Sequence, residues 1–203
     1  MKKEHRQLTR GFATLFNALW YRDFPMAATS KPRASRAELT THIATCARGV
    51  ADLLGFFTHF ETGKRTDAVI KNAFGESVAR IEWEYAQPNH KNFNELHKLR
   101  ESHADANVAV LITYSRNEFH EQNMRIIHKE WGHCATPLLL FLVRYRYAKG
   151  RQFGNLETHL IHDGKTQCLM SQPALPWKAE GTRWWIKASD APAGTAPDDG
   201  EDE

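Results

Sequence analysis

Apolar and charged side chains alternate along residues 78–85, and this alternation restricts the fold of the chain more than any other feature. The apolar set is Ala79, Ile81, Trp83 and Tyr85, and the charged set is Arg80, Glu82 and Glu84. Successive side chains of a β-strand point to opposite faces, so the pattern predicts a strand with one core face and one carboxylate face. Two carboxylates on one face repel each other unless water, a cation or a metal ion compensates their charge.

A predicted β-hairpin brings a third carboxylate to this face. The runs 67–73 and 78–85 flank the glycine-containing turn Phe74-Gly75-Glu76-Ser77. With either a two-residue or a four-residue loop, Asp67 pairs with Glu84 and lies diagonal to Glu82. Three convergent carboxylates suit Mg²⁺ or Mn²⁺, whose preferred ligands are carboxylate, carbonyl and water oxygens. The alternative at this point is that both glutamates are ordinary solvent-facing residues.

The remaining hydrophobic patterns predict helices and strands on both sides of the hairpin. Helical spacing covers 4–20, 35–60, 93–103 and 118–131, with Ser35 as an N-cap three residues before Glu38. Strand patterns cover 107–114, 138–147, 153–162 and 166–171, with a further edge strand at 184–187. This order predicts an α/β domain with a mixed β-sheet, flanking helices and extra C-terminal antiparallel strands.

Charge separates a basic body from an acidic tail. We expect residues 1–189 to form a single α/β domain with an N-terminal helix. Residues 190–203 hold six acidic and no basic side chains among Pro, Gly and Ala, which predicts a disordered tail. Without the tail, 27 lysines and arginines face 18 acidic residues, a net charge of about +9. A basic body suits a polyanionic partner such as DNA, although surplus basic residues also serve solubility.

The chain carries no pattern typical of secretion or membrane insertion. Its longest apolar run, 137–143, is too short to span a bilayer, and its first residues lack the apolar core of a secretory signal. The three cysteines are widely spaced and form no CxxC pair, which argues against a disulfide framework or a structural zinc site. We therefore expect a cytoplasmic protein with no membrane partner.

One motif resembles a known family. Asp67, fourteen intervening residues and then Glu82-Trp83-Glu84, followed by a helix and an apolar strand, resemble the PD-(D/E)XK nuclease superfamily over about 37–114. The resemblance implies a restriction-endonuclease-like core in which Asp67 and Glu82 bind Mg²⁺ or Mn²⁺, with the carbonyl of Trp83 as a further ligand. Glu84 takes the place that a lysine usually holds, and Thr66 stands where a proline usually precedes the aspartate.

The resemblance implies metal-dependent hydrolysis of phosphodiester bonds in DNA. A bound Mg²⁺ lowers the pKa of a coordinated water and withdraws charge from a phosphate oxygen. Glu84 cannot donate a proton when it is ionised, but it could accept one as a general base or bind a second metal. Lys98 on the following helix and Lys71 on the carboxylate face of the hairpin are candidates for the missing cation. Each is otherwise a solvated surface lysine.

Five basic residues are candidate contacts to a DNA backbone, since such contacts position a strand without reading its sequence. They are Lys64 and Arg65 just before the hairpin, Lys71 within it, and Arg144 and Arg146 on one face of the strand 138–147. A homodimer would suit cleavage of both strands of a duplex.

Two other functions remain open from the sequence. The first is a nuclease-fold protein that has lost catalysis and binds DNA or another partner, which the absence of the motif lysine favours. The second is a small-molecule enzyme on an unrelated α/β fold. Cleavage of a plasmid in the presence of magnesium, with Glu82→Ala as the control, distinguishes the leading hypothesis from the first, and a deep apolar pocket away from Asp67 would support the second.

Overall fold

A computed structural model describes residues 3–25, 35–62, 66–102, 105–148, 150–183, 185 and 195–196. Within these residues, four α-helices flank a mixed seven-stranded β-sheet, to which a two-residue strand is added. The predicted α/β class, with a mixed sheet, flanking helices and antiparallel strands at the C-terminal side, is confirmed.

The two N-terminal helices are α1 (Lys3–Arg22) and α2 (Arg36–Leu53). The predicted cap of α2 is confirmed: the Ser35 side chain accepts from the backbone N of Glu38, and the Ser35 backbone N donates to the Glu38 carboxylate. The helix ends well before the predicted residue 60. Gly55 adopts a left-handed φ of 77°, and Phe57–Thr62 forms strand β1 instead.

The strands lie in the sheet in the same order as in the chain. β1, β2 (Thr66–Lys71) and β3 (Ser77–Trp83) form an antiparallel meander. Helix α3 (Glu95–Ser102) then connects β3 to the parallel strand β4 (Val108–Arg116), and α4 (His120–Trp131) connects β4 to the parallel strand β5 (Leu138–Tyr147). The antiparallel strands β6 (Arg151–His162) and β7 (Lys165–Pro173) complete the sheet.

Each face of the sheet packs against its own pair of helices. On β4, Val110 and Ile112 belong to the core under α1 and α2, while Ala109 and Leu111 belong to the core under α3 and α4. Strand β4 is therefore covered on both sides, which explains its uninterrupted apolar sequence. The carboxyl ends of the parallel strands β3, β4 and β5 meet at one edge of the sheet, which we call the carboxyl edge. Because β2 runs antiparallel to β3, its first residues also lie at this edge.

The C-terminal part of the chain is described only in places. The predicted edge strand 184–187 lies outside the described residues except for Trp185, which is exposed. Within the predicted tail, Thr195–Ala196 forms strand β8 and pairs with the first two residues of β6, and the rest of 190–203 lies outside the described residues. No helix in the described ranges is long and apolar enough to cross a membrane.

Candidate active site

The pairing of β2 with β3 places Asp67 opposite Glu82. Ala68 pairs with Ile81, so the next pair toward the carboxyl edge consists of the two acidic residues. The predicted register, in which Asp67 faces Glu84, is wrong by two residues. Asp67 and Glu82 nevertheless point to the same face, because a shift of two residues preserves the face on which a side chain lies.

The turn between the two strands explains the difference in register. The Asn72 side-chain oxygen accepts hydrogen bonds from the backbone N atoms of Phe74 and Glu76, both at 3.0 Å. A β-bulge between Ile70 and Lys71 also shifts the ladder. The sequence predicts a loop of two or four residues, whereas the Asn72 side chain organises a wider, asymmetric turn.

Asp67 is half-buried at the start of β2 and is tied to the neighbouring strand. Its Oδ2 accepts a hydrogen bond of 2.8 Å from the backbone N of Trp83 at the end of β3. Burial raises the pKa of Asp67 above its usual value, although this hydrogen bond and the charge of Lys98 act in the opposite direction. The backbone of Trp83, predicted to supply a carbonyl ligand, therefore lies beside the Asp67 carboxylate.

Glu82 is completely buried, which is unusual for an ionisable side chain. It faces α3, because its neighbours Ile81 and Trp83 pack on the other side of the sheet. Neither of its carboxylate oxygens accepts a hydrogen bond from a donor of the described residues. Burial, reinforced by the nearby charge of Asp67 and by a hydrogen bond that the protonated Glu82 donates to Asp67, raises the pKa of Glu82 to about 9. Glu82 is thus not a solvent-facing strand residue.

Helix α3 adds a cation and a third carboxylate to this pair. Lys98 Nζ lies 3.9 Å from Glu82 Oε2 and 3.0 Å from Glu95 Oε1. Burial opposes the charge of Lys98, but its hydrogen bond to Glu95 and the charges of Glu82 and Asp67 hold its pKa above the usual value. The Lys98 side chain is 37% exposed, so the cluster reaches solvent along the lysine stem.

Glu95 was not predicted from the sequence. It occupies the first turn of α3, where a negative charge is favourable, and its Oε2 accepts from the backbone N of Asn94 at 2.9 Å. Its charge contributes to the raised pKa values of Asp67 and Glu82. The available signal was the spacing of Glu95 and Lys98, which puts an acid and a base on one helical face.

Glu84 does not join the cluster. Strand β3 ends at Trp83, and Glu84 Oε1 instead accepts from the backbone N atoms of Tyr85 (2.6 Å) and Ala86 (3.1 Å) and from Arg36 of α2 (3.2 Å). The alternation that was expected to hold Glu84 next to Glu82 applies only within a strand. The carboxylate of Glu84 therefore fixes the chain as it leaves β3.

Two of the predicted DNA contacts, Lys64 and Arg65, lie outside the described residues. Lys71 is at the opposite end of β2 from Asp67, next to the hairpin turn, and is not near the carboxylate cluster. Of the two lysines considered as a replacement for the motif lysine, the structure brings only Lys98 to the acidic pair.

Arg144 and Arg146 lie at the carboxyl end of β5. Arg144 Nη1 forms an ion pair of 3.1 Å with Glu157. Arg146 is exposed, and its Nε donates to the neutral side chain of Gln152 at 2.7 Å. Among the described residues Arg146 has no ion pair, so its charge is available at the surface.

A second polar cluster, absent from the sequence-based prediction, surrounds Glu157 of β6. Glu157 Oε2 lies 3.0 Å from His159 Nε2 and 3.6 Å from His120 Nε2, while Oε1 pairs with Arg144. Burial alone would raise the pKa of Glu157, but the hydrogen bonds from His159 and Arg144 hold it below the usual value. The sequence signal was weak: Glu157 and His159 share a strand face, but their partners come from other elements.

The Glu157 cluster does not have the features of a metal centre. A histidine that binds a metal usually donates its second ring nitrogen to a carboxylate or a carbonyl. The Nδ1 atoms of His120 and His159 are buried without such a partner in the described part of the chain. The cluster is better explained as a set of hydrogen bonds and an ion pair that satisfy the Glu157 carboxylate.

The carboxylates of Asp67 and Glu82 suit a hard cation that takes only part of its ligands from the protein. No three His, Cys, Asp or Glu side chains of the described residues are placed to hold a metal ion together. Mg²⁺, however, usually takes only one or two carboxylates and keeps several waters or substrate oxygens. Asp67 and Glu82 supply two carboxylates on adjacent strands, and the oxygens of Glu82 accept no hydrogen bond from a donor of the described residues.

Comparisons of the chain with protein-family models and with curated proteins identify no relative.

Proposed function

We propose that this protein is a metal-dependent nuclease of the PD-(D/E)XK superfamily that hydrolyses phosphodiester bonds in DNA. The observation that carries the proposal is the pairing of Asp67 with the buried Glu82 on adjacent strands, with Lys98 Nζ 3.9 Å from Glu82. The order α2, β1, β2, β3, α3, β4, with β4 parallel to β3, supports the resemblance that the acidic motif suggests.

Asp67 and Glu82 would hold the Mg²⁺ or Mn²⁺ ion, with the backbone carbonyl of Trp83 as a further ligand. The lack of any donor to the Glu82 oxygens within the described residues supports this assignment, because the ionised form of a buried acid destabilises a fold unless a ligand compensates its charge. When bound, the ion supplies a water of lowered pKa and stabilises charge on a phosphate oxygen.

Lys98 is the candidate for the lysine that the strand motif lacks. Its raised pKa keeps the ammonium charged, and Glu95 fixes its direction through a 3.0 Å contact. From this position Lys98 would orient an attacking water and neutralise part of the negative charge that develops on the phosphate. Glu84, engaged with Arg36 and two backbone N atoms, would act by positioning the end of β3.

Glu82 must lose a proton before it can bind a cation. Its pKa of about 9 leaves it mostly protonated at neutral pH in the absence of a metal. The same burial favours the second candidate function, a DNA-binding protein on this fold that does not cleave. The two functions differ in whether a divalent cation reaches the acidic pair.

Plasmid nicking tests the proposal. The wild-type chain should convert supercoiled plasmid to the nicked form with Mg²⁺ or Mn²⁺ and not with EDTA. The Asp67→Asn variant should retain its fold and its DNA affinity but lose cleavage, since only the metal ligand changes. Plasmid binding without nicking by the wild type at pH 7–9, with either metal, would support the non-catalytic alternative.

A further inference from the structure

Two exposed aromatic rings flank one arginine at the carboxyl edge of the sheet. Phe119, which precedes α4, is 37% exposed, and Tyr147 at the end of β5 is 36% exposed. The guanidinium carbon of Arg116, the last residue of β4, lies 5.8 Å from the centre of each ring. Three flat side chains thus stand together at the ends of two adjacent strands, on a surface that we call the ring surface.

The charge around the ring surface is complementary to a nucleic acid backbone. Arg116 is paired with Glu118 at 3.0 Å. Arg146 precedes Tyr147 at the end of β5 and projects from the other face of that strand, and it has no ion pair within the described residues. An aromatic surface next to an uncompensated arginine is the combination by which proteins hold single strands, because bases stack on the rings while cations contact phosphates.

The ring surface lies on the same edge of the sheet as the acidic pair. Glu82 pairs with Leu111, and Arg116 lies five residues further along β4, which is roughly 17 Å in the strand direction at about 3.3 Å per residue; Arg116 projects from the other face of the sheet. A stacked strand covers that distance with about five nucleotides at roughly 3.4 Å each. Ligands of open α/β sheets bind outside the carboxyl ends of the strands, where both features are found.

We infer that the ring surface binds an unpaired nucleic acid strand by stacking its bases on Phe119 and Tyr147, while Arg146 contacts the backbone. The inference rests on the proposed function and narrows its substrate class. The substrate would be DNA with a single-stranded segment of about five nucleotides beside the scissile phosphate, such as an overhang or a flap. Bases paired within a blunt duplex have no free face to offer the two rings.

Fluorescence anisotropy in EDTA tests the inference without any contribution from cleavage. The probes are a labelled single-stranded oligonucleotide, a blunt duplex of the same sequence and a duplex with a single-stranded overhang. The double variant Phe119→Leu, Tyr147→Leu keeps apolar side chains but removes both rings. Its affinity for the single strand should fall roughly 100-fold, about tenfold per ring, with less than about threefold change for the blunt duplex.

Matched controls exclude a general effect of lost aromatic surface. Phe57 and Phe74 are more exposed than the two rings and lie at the opposite edge of the sheet, so Phe57→Leu, Phe74→Leu should leave single-strand affinity unchanged. Tyr147→Phe should retain most of the wild-type affinity for the single strand, because it keeps the aromatic ring. Arg146→Gln should weaken binding to all three probes and lower the salt slope by about one.

The outcomes separate this inference from the proposed nuclease activity. Unchanged single-strand affinity in the ring variant, or an equal loss for the single strand and the duplex, would overturn the ring surface. Selective loss of single-strand binding supports it, even if the wild type never cleaves DNA. Cleavage of the blunt duplex at the same rate as the overhang substrate would also count against it, while leaving the nuclease proposal in place.

Discussion

Glu82 and Glu157 are both buried on the sheet face that α3 and α4 cover, yet their surroundings are opposite. Glu157 receives hydrogen bonds from His159 and Arg144, and its pKa lies below the usual value. Glu82 accepts no hydrogen bond from a donor of the described residues, and its pKa is raised to about 9. At neutral pH, Glu157 is therefore ionised and Glu82 is mostly protonated, although both are glutamates on the same face of the sheet.

The difference shows which of the two clusters has room for a ligand. A buried carboxylate whose hydrogen-bond capacity is filled by its own protein contributes to the fold and has little left to offer. A buried carboxylate with bare oxygens destabilises the fold until a proton or a cation compensates it. Glu157 therefore joins β5, β6 and α4, while the oxygens of Glu82 have no donor among the described residues, as the proposed metal site requires.

Cleavage assays of two matched substitutions are the strongest test of the difference between Glu82 and Glu157. Glu82→Gln should lower metal-dependent plasmid nicking by about 1000-fold or more, since several kcal/mol of metal-assisted stabilisation depend on this carboxylate. Glu157→Gln should lower it by less than about tenfold, because that side chain supports the fold and not the reacting groups. Equal losses in the two variants would contradict the distinction.

Lys98 provides the next test. It is a partly exposed cation beside Glu82 and is proposed to act in the reaction, whereas Arg144, the cation beside Glu157, is not. Lys98→Met should lower the turnover rate by about 100-fold with little change in DNA affinity, as expected for a group that acts on the reacting water or phosphate. Lys129→Met, at an exposed position of α4, is the control. A parallel loss of affinity and rate in Lys98→Met would indicate a simple phosphate contact instead.

The contributions of Glu82 and Glu157 to the free energy of unfolding should change in opposite directions as the pH rises. The pKa of Glu82 is raised in the folded state, so its favourable contribution is complete below about pH 4.5 and is lost as the pH rises toward about 9. The pKa of Glu157 is lowered, so its contribution is present above the unfolded-state pKa and is lost as the pH falls.

Urea denaturation at pH 8 without metal measures this difference. Glu82→Gln should raise the free energy of unfolding by roughly 1–3 kcal/mol, because a neutral amide replaces an acid that is difficult to ionise. Glu157→Gln should lower it by roughly 1–3 kcal/mol, because it leaves His159 and Arg144 with a weaker partner. A destabilised Glu82→Gln protein would show that the burial of Glu82 serves the fold.

The smallest expected effect is the stabilisation by the metal itself. Millimolar Mg²⁺ should raise the Tm by about 2–4 °C at pH 8, and by less at pH 6, since binding requires Glu82 to release its proton. Glu82→Gln should abolish the shift and Glu157→Gln should retain it, as measured by differential scanning fluorimetry. An identical shift in both variants would place the cation elsewhere.

The sequence predicted most elements of the fold because few of its signals conflict. The apolar run of β5 and the capping box at Ser35 each match the structure closely. Strand β1 was missed because Phe57 and Phe60 continue the helical spacing of α2, so the hydrophobic pattern alone favoured one long helix. Only Gly55, with its left-handed backbone, ends that helix, and a single glycine is a weak signal in a strongly periodic segment.

The acidic pair was predictable because it depends on strand faces and not on the exact register. The wider turn at Asn72, together with the β-bulge between Ile70 and Lys71, changes the register by two residues, yet Asp67 and Glu82 remain on one face. Glu84 was misplaced because the strand ends one residue before it. Glu95 could not be found with equal certainty, because its position depends on how α3 packs on β3, which no local pattern encodes.

The asymmetric hairpin between β2 and β3 also has a kinetic consequence. Hairpins close over short loops and form within microseconds, well before strands that are distant in sequence can pair. Asp67 and Glu82 lie opposite each other near the open end, far from the turn, so ionised carboxylates oppose the late steps of closure. Protons or divalent cations should therefore favour the closure of this end of the hairpin as the chain folds.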